Sequence, residues 1–384
     1  MATTDILIVG GGIAGLATAL AFARRGFSPL LLEQHDTVAE IGAGIQITPN
    51  GMAVLRALGL GEAAAAAGLA GQALEVCDAL SGRCAARFPL PGGGNWLFLH
   101  RAALIALLYR AACGAGVAIR TAARVERLEG GKAVLTGGER IGAGLILGAD
   151  GLHSVVRRHL VGGSDPFFTG QVAWRALLPA LQDPAPPMPA ARIWMAPGRH
   201  VVTYPLRDGR VNLVAVRAQS AWSDDGWHHR DDPEVLRRAF ADLCPELRAL
   251  LDRVTEVGRW GLFRHPVPLR WHDARTAILG DAAHPTLPFL AQGANLALED
   301  AWVLAREVAR GGRLDEALAR YQAQRRPRVE RAIAAANANA RHYHLSGLPR
   351  RAALAGLSLA GRIAPAAFMN RYRWLHDLDV TRGG

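Results

Sequence analysis

A glycine cluster between two short apolar runs determines how this chain must begin to fold. Asp5-Ile-Leu-Ile-Val9 is apolar with β-branched content and ends abruptly in Gly10-Gly-Gly12-Ile-Ala-Gly15. Such a run reads as a buried parallel strand. A helix-like stretch follows over Leu16–Arg25, then a second apolar run, Pro29–Leu32, which stops at Glu33. The order predicts a βαβ unit with G-x-G-x-x-G at the first crossover and an acid 18 residues beyond Gly15. Each glycine has a task. Gly10 makes the tight turn, Gly12 lets the backbone approach a pyrophosphate, and Gly15 lets helix and strand pack closely. The free N–H groups of the helix start complement phosphate, and Glu33 can accept both hydroxyls of an adenosine ribose. This fingerprint specifies a dinucleotide and leaves FAD and NAD both open.

Two later segments repeat the pattern of a strand ending in an acid. Ala143–Ala149 is apolar and closes on Asp150-Gly151, with Ser154 and Arg157 beyond. Thr276-Ala-Ile-Leu-Gly280-Asp281-Ala-Ala-His284-Pro285 is followed by Pro288, Gln292-Gly293-Ala-Asn295 and a helix expected over Leu296–Arg310. Acids at the carboxyl ends of parallel strands are where α/β folds place ligand contacts. A glycine-marked helix start at Gly293 aims N–H groups and a positive dipole end at an anion.

Composition narrows the partners. At 384 residues, half of them apolar, the chain has the length of two domains with sizeable cores. Its net charge of +11 invites a nucleic-acid reading, yet Lys132 is the only lysine and the arginines come singly or in pairs, without a basic stripe carrying aromatics. A solvated basic surface is expected, and no nucleic acid. Cys77, Cys84, Cys113 and Cys244 lack metal-ligand spacing, so neither a disulfide framework nor a metal is expected. Ile6–Ala23 is long and apolar enough to imitate a membrane span, but its glycines belong to the nucleotide turn and no signal-peptide pattern precedes it. A cytoplasmic protein without a membrane span is expected.

Taken together, the three ordered motifs resemble the fingerprints of the FAD-dependent aromatic hydroxylases, the single-component flavoprotein monooxygenases. Gly42-Ala-Gly-Ile-Gln46-Ile-Thr-Pro-Asn50, His100-Arg101 and Asp281–Asn295 are similar to the branch acting on salicylate, 3-hydroxybenzoate and 6-hydroxynicotinate. The likeness runs from about Thr4 to Trp374 and includes Tyr343-His-Leu-Ser-Gly347. It implies that Gly10, Gly12, Ala14, Gly15, Glu33 and Gln34 hold the ADP half of FAD. Arg101 would reach the phosphate and ribityl region, and Asp281 the ribityl chain. Gly293, Ala294 and Asn295 would face the pyrimidine edge of the flavin ring, where the helix dipole favours negative charge on the reduced ring. Asp150 and Arg157 would serve both FAD and NAD(P)H. The chemistry implied is hydride transfer from NADH or NADPH to FAD, addition of O2 as a flavin C4a-hydroperoxide, and transfer of one oxygen to a phenolic or hydroxy-heteroaromatic acid. The same chemistry on a bulkier metabolite or quinone precursor, and a flavin oxidoreductase without oxygen insertion, are the alternatives.

A phenol is activated by losing its proton, so an acceptor near its hydroxyl is needed. Arg199–Val216 reads as a hairpin turning at Asp208-Gly209. His200 and Tyr204, four apart on its first strand, share one face, and related hydroxylases line the substrate pocket with such a pair. Gln46 and the backbone carbonyl of Pro288 complete the expected pocket, while His284 is expected to shape its loop. Arg175, Arg207 and Arg217 all remain open as partners for a substrate carboxylate.

The fold expected is α/β, with a Rossmann-like FAD-binding domain, a mostly antiparallel substrate sheet and a helical C-terminal segment. Residues 1–75, 100–166 and 271–340 would form the discontinuous FAD domain, 76–99 and 167–270 the substrate domain, and 341–384 the terminal segment. Strands are expected at Gln171–Leu178, Arg192–Met195, His200–Leu206 and Val211–Val216, with Pro184–Pro189 a loop between strands. One helix is expected over Pro233–Leu251. C-terminal helices would break at Gly311-Gly312, Pro327 and Gly347-Leu-Pro349. A monomer or homodimer is expected.

Overall fold

The computed structural model describes residues 3–38, 43–163, 165–180, 189–222 and 230–382. Gly42 and residues 184–188 of the proline-rich loop lie outside the described residues. The opening strand, Thr3–Val9, pairs in parallel with Pro29–Leu32 on one side and with Arg140–Gly148 on the other. Ala118–Arg120 extends this sheet beyond Pro29–Leu32, and Thr276–Ile278 joins Arg140–Gly148 in parallel. Among the described residues only Val125–Glu129 and Lys132–Leu135 enter it antiparallel. The carboxyl ends of Thr3–Val9, Arg140–Gly148 and Thr276–Ile278 therefore lie together, and each opens into one of the three acid- or glycine-marked turns. Helices Ile13–Ala23, Arg101–Gly114 and Gly293–Ala309 pack over this sheet and bury the largest apolar cluster of the chain.

A second sheet of eight strands runs in the order Arg230–Asp231, Val257–Arg264, Phe167–Leu178, Val211–Ala218, Arg199–Pro205, Ala190–Ala196, Ala73–Asp78 and Cys84–Pro89. Every neighbouring pair is antiparallel except Ala190–Ala196 with Ala73–Asp78. The hairpin turn lies where the sequence places it: Gly209 takes a φ of +80°, and Leu206 donates to the Arg210 carbonyl. A small third sheet joins Gly44–Ile47, Leu97–His100 and Leu69–Ala70 between the two.

Two helical expectations need correction. The stretch expected as one helix is two, Pro233–Ala239 and Pro245–Asp252. A proline disfavours helical ψ in the residue before it, and Cys244 sits at ψ 154°, outside the helix. Pro327, in contrast, breaks nothing and lies inside the 30-residue helix Leu314–Tyr343. Arg325 and Arg328, flanking it, are anchored on Glu299 of the neighbouring helix, which holds the chain helical across the missing N–H. The chain does turn at Gly311 and Gly312, both at positive φ. Near the third expected break the long helix ends at Tyr343, and a separate helix starts at Gly347. Among the described residues no helix is long and apolar enough to cross a membrane.

Candidate active site

The nucleotide turn has the geometry its glycines require. Gly10 adopts φ +104°, and a Cβ there would stand 2.4 Å from the Ala149 carbonyl oxygen. A Cβ on Gly15 would meet the Gly10 oxygen at 1.8 Å, so helix and strand approach as closely as backbone permits. Gly12 is exposed with nothing within 4 Å of an added Cβ, which leaves the helix start approachable. Glu33 accepts from the Gly11 N–H at 2.7 Å through one oxygen and from the His35 N–H at 2.9 Å through the other. Each carboxylate oxygen keeps a lone pair for a further donor. Gln34 beside it is exposed. This turn fits the ADP half of FAD: backbone donors, an approachable helix start and a fixed acceptor.

The second and third motifs brace one another. Asp150 accepts from the Ser154 hydroxyl at 2.5 Å and from the Val155 and Val156 amides at 2.8 and 3.3 Å, and so caps the helix Val155–Val161. Arg157 is buried and forms no ion pair among the described residues. Its guanidinium donates to the carbonyls of Ala282, Ala283 and Pro266. Ala14 of the first motif faces Gly280 of the third, where an added Cβ would close to 2.8 Å. Asp281 projects from this turn as an exposed carboxylate with protein close around it. That crowding raises its carboxyl, against the opposing pull of His284 and Arg101. The charge of Arg101 thus acts on Asp281 from the start of the helix Arg101–Gly114.

His284 is fully buried and hydrogen-bonds Asp300 at 2.5 Å, and Asp300 also accepts from the Gly280 amide at 3.1 Å. It shapes the loop, as expected. Beneath it lies a buried charge network that sequence reasoning missed. Arg325 donates to Glu299 at 2.5 Å and to Asp300 at 2.7 Å, while Arg328 and Asn50 also bond Glu299. Gln292 bonds Thr48 and Asn50. Two adjacent acids, Glu299 and Asp300, set between the apolar runs of the helix Gly293–Ala309 were the available signal.

Gly293 and Ala294 open the helix Gly293–Ala309 and are partly exposed. Asn295 is completely buried, and its side chain serves the protein rather than the surface. Its Oδ1 accepts from Thr48 at 3.0 Å, and its Nδ2 donates to the carbonyls of Gln46 and Ala291. Gln46 is held in turn by the Trp96 indole, which donates to its Oε1 at 3.0 Å. These contacts bring the Gly44–Ile47 strand against the third motif.

The inner face of the eight-stranded sheet closes over this assembly. His200 and Tyr204 do share that face. Tyr204 packs on Phe98 at 5.1 Å, and burial raises its hydroxyl against the opposing pull of Arg175. The His200 ring lies 5.2 Å from Phe289, which follows Pro288 in the short turn Pro288–Leu290. His200 thus reaches from the eight-stranded sheet to the turn that Pro288 opens. A partner that sequence reasoning missed is His344, at the end of the long helix. Its Nε2 lies 2.8 Å from His200 Nδ1, and Tyr343 covers the pair. The pocket does not leave His200 an ordinary histidine pKa. Burial, then the neighbouring His344, push it well below 6.5, so it is a neutral hydrogen-bonding group.

Burial also lowers His344 and His376 to about 4. A histidine with a depressed folded pKa binds its proton better in the unfolded chain. Its stabilisation is complete above 6.5 and is lost as pH falls toward 4. The urea midpoint is therefore expected to fall steadily between those pH values in the wild type. Replacing His376 with Phe should flatten the fall, and an unchanged slope would contradict this assignment.

Among the described residues no cluster of three or more histidine, cysteine or acidic side chains could hold a metal ion. All four cysteines are free. The model of the FAD binding domain family matches residues 3–336. The chain is 38% identical to a 3-amino-4-hydroxybenzoate 2-monooxygenase of Streptomyces cremeus, over 90% of this chain and 89% of that protein. It is 35% identical to a 3-hydroxybenzoate 6-hydroxylase of Polaromonas naphthalenivorans, over 99% of this chain and 97% of that one. Its fold matches a salicylate hydroxylase substrate complex with a TM-score of 0.83, covering 99% and 96% of the two chains at 21% identity.

Proposed function

From a chain that belongs to the FAD binding domain family and is an FAD-dependent aromatic-ring monooxygenase, we propose a hydroxylase of small phenolic or hydroxy-heteroaromatic acids. NADH or NADPH supplies the electrons and O2 the oxygen. The observation that carries this reading is the approach of His200, which shares a strand face with Tyr204, to the Pro288–Leu290 turn of the third motif. The hydroxybenzoate specificity of the two relatives supports it.

In this reading the turn from Gly10 to Gly15, with Ala14, Glu33 and Gln34, holds the ADP half of FAD, Arg101 and Asp281 its middle, and the amides of Gly293–Asn295 its ring edge. Bound FAD accepts hydride and activates O2; everything else is the protein's work. Asp150 caps the helix that carries Arg157, and Arg157 ties the second motif to the third. Asn295, committed to Thr48 and Gln46, contributes its amide and fixes Gln46. His200, neutral and buried, accepts the one hydrogen bond that the phenol O–H can donate, with the Pro288 carbonyl the alternative acceptor for the same proton. Tyr204, whose raised pKa keeps it protonated, donates. The apolar neighbours Phe289 and Tyr343 exclude water from the reacting ring. The protein would work in the cytoplasm as a monomer or homodimer.

The test is oxidation of NADH and NADPH by the FAD-loaded protein in air, with a panel of hydroxybenzoates and hydroxynicotinates and with peroxide measured alongside. At least one acid is expected to stimulate oxidation strongly while little peroxide forms. If no acid stimulates with either reductant, the small-acid reading fails and bulkier aromatics take its place.

A further inference from the structure

Strand alternation separates the three arginines that the sequence leaves open as carboxylate partners. Along Phe167–Leu178, Val172, Trp174 and Ala176 pack beneath the helices Pro233–Ala239 and Pro245–Asp252. Ala173, one position out of phase, packs instead with Val214, Trp260 and Phe289. Arg175 therefore belongs to the face that meets the third motif. Its guanidinium carbon lies 4.9 Å from the ring centroid of Trp260, on that same face. Arg217 lies on the opposite face, 5.6 Å over Trp174, with its Nη2 donating to Gln219. Arg207 is exposed beyond the strand end, and its Nη1 donates to the Gly68 carbonyl at 3.2 Å.

Register carries the argument further. Arg175 pairs with Val214, and Val214 pairs with Val202; the adjacent row pairs Asn212 with Tyr204. Arg175 is thus one row from Tyr204, close enough for its charge to act on the Tyr204 hydroxyl. An aromatic carboxylate leaving water for this half-buried face needs a cation with two parallel donors, since an uncompensated anion is costly there. A guanidinium supplies that fork, and the face of Trp260 holds its plane.

We propose that Arg175 receives the carboxylate of the aromatic acid and so sets the preference of this site for acids over neutral phenols; the inference rests on the reading of the site as that of an aromatic-acid hydroxylase. His200, whose row runs through Val216 to Ala173, lies one row from Arg175 on the side away from Tyr204, so Arg175 stands across the sheet from both residues and the acid spans the site from its carboxylate to its reacting hydroxyl.

The experiment titrates the FAD-loaded protein, without NADH, with 3-hydroxybenzoate and with its neutral isostere 3-hydroxybenzamide, following the flavin absorbance. Wild type is expected to bind the acid at least about 30-fold more tightly than the amide. Arg175→Gln should bring the acid down to the amide's affinity while the amide changes by less than about threefold. Arg175→Lys keeps the charge but not the fork, and should retain part of the preference. If the glutamine variant fails to hold FAD, the lysine variant decides: an acid-to-amide ratio equal to that of wild type overturns the proposal. A glutamine variant that weakens both compounds alike, or neither, overturns it too and leaves the hydroxylase reading standing. A wild type whose flavin responds to no hydroxybenzoate or hydroxynicotinate overturns both.

Discussion

Gly15→Ala is expected to yield a protein that purifies without FAD, its affinity reduced at least about 100-fold. The added Cβ would stand 1.8 Å from the Gly10 carbonyl oxygen and 3.0 Å from its carbon. Both are backbone atoms, so no rotamer relieves the clash. The helix Ile13–Ala23 must move off the strand Thr3–Val9, carrying with it the Gly11 amide that holds Glu33. Gly12→Ala is the informative companion. Gly12 sits at φ −75°, which alanine adopts freely, and its Cβ would meet nothing within 4 Å. The apoprotein should therefore lose no more than about 1 kcal/mol, the cost of alanine at a helix N-cap. FAD affinity should nevertheless fall, because the methyl stands where the backbone must admit a pyrophosphate. Fluorescence titration of each apoprotein with FAD, beside its urea midpoint, separates the two. Full FAD content in Gly15→Ala would contradict this assignment of the nucleotide turn.

Arg325→Met is expected to cost about 3–5 kcal/mol of stability, the penalty for leaving buried carboxylates short of their cation. Arg325 is 1% exposed, and both Glu299 and Asp300 are fully buried. Burial alone would raise the Asp300 carboxyl, but His284 and Arg325 overcome it and hold it at about 2. A carboxyl depressed in the fold stabilises above its unfolded value of 3.8, and that stabilisation is lost as pH falls toward 2. Without Arg325 the Asp300 carboxyl rises, so acid unfolding should begin at a higher pH than in wild type. Adding Asp300→Asn to Arg325→Met should recover part of the loss, because the pair is coupled. Urea unfolding of the single and double variants at neutral and acid pH measures this. Strictly additive losses would show that the network is not energetically connected.

The parts of this molecule legible in the sequence are those whose physics is local. Gly10, Gly12 and Gly15 declare themselves because a tight turn, an open backbone approach and a close helix–strand contact each exclude a side chain. His200 and Tyr204 reach one face because side chains alternate along a strand, and Asp208-Gly209 turns the hairpin because Gly209 tolerates positive φ. What stayed hidden depends on partners far away in the chain. His344 meets His200 across 144 residues, and Asn295 meets Thr48 across 247. No spacing rule could reveal that the Asn295 side chain is spent on Thr48 and Gln46. Nor could composition show that Pro327 sits within a helix, since what holds that helix is Glu299 on its neighbour. The same holds for the carboxylate partner: three arginines were equivalent as letters and became distinct only once sheet pairing put Arg175 and Arg217 on opposite faces.

The most direct measurement is turnover under isotopically heavy O2, using the acid that most strongly stimulates NADH or NADPH oxidation, with mass spectrometry of the aromatic product. The site described here predicts a ring-hydroxylated acid carrying one heavy oxygen atom for each reductant consumed, with little peroxide. Recovery of the acid unchanged, with all consumed O2 appearing as peroxide, would contradict a hydroxylase of small aromatic acids.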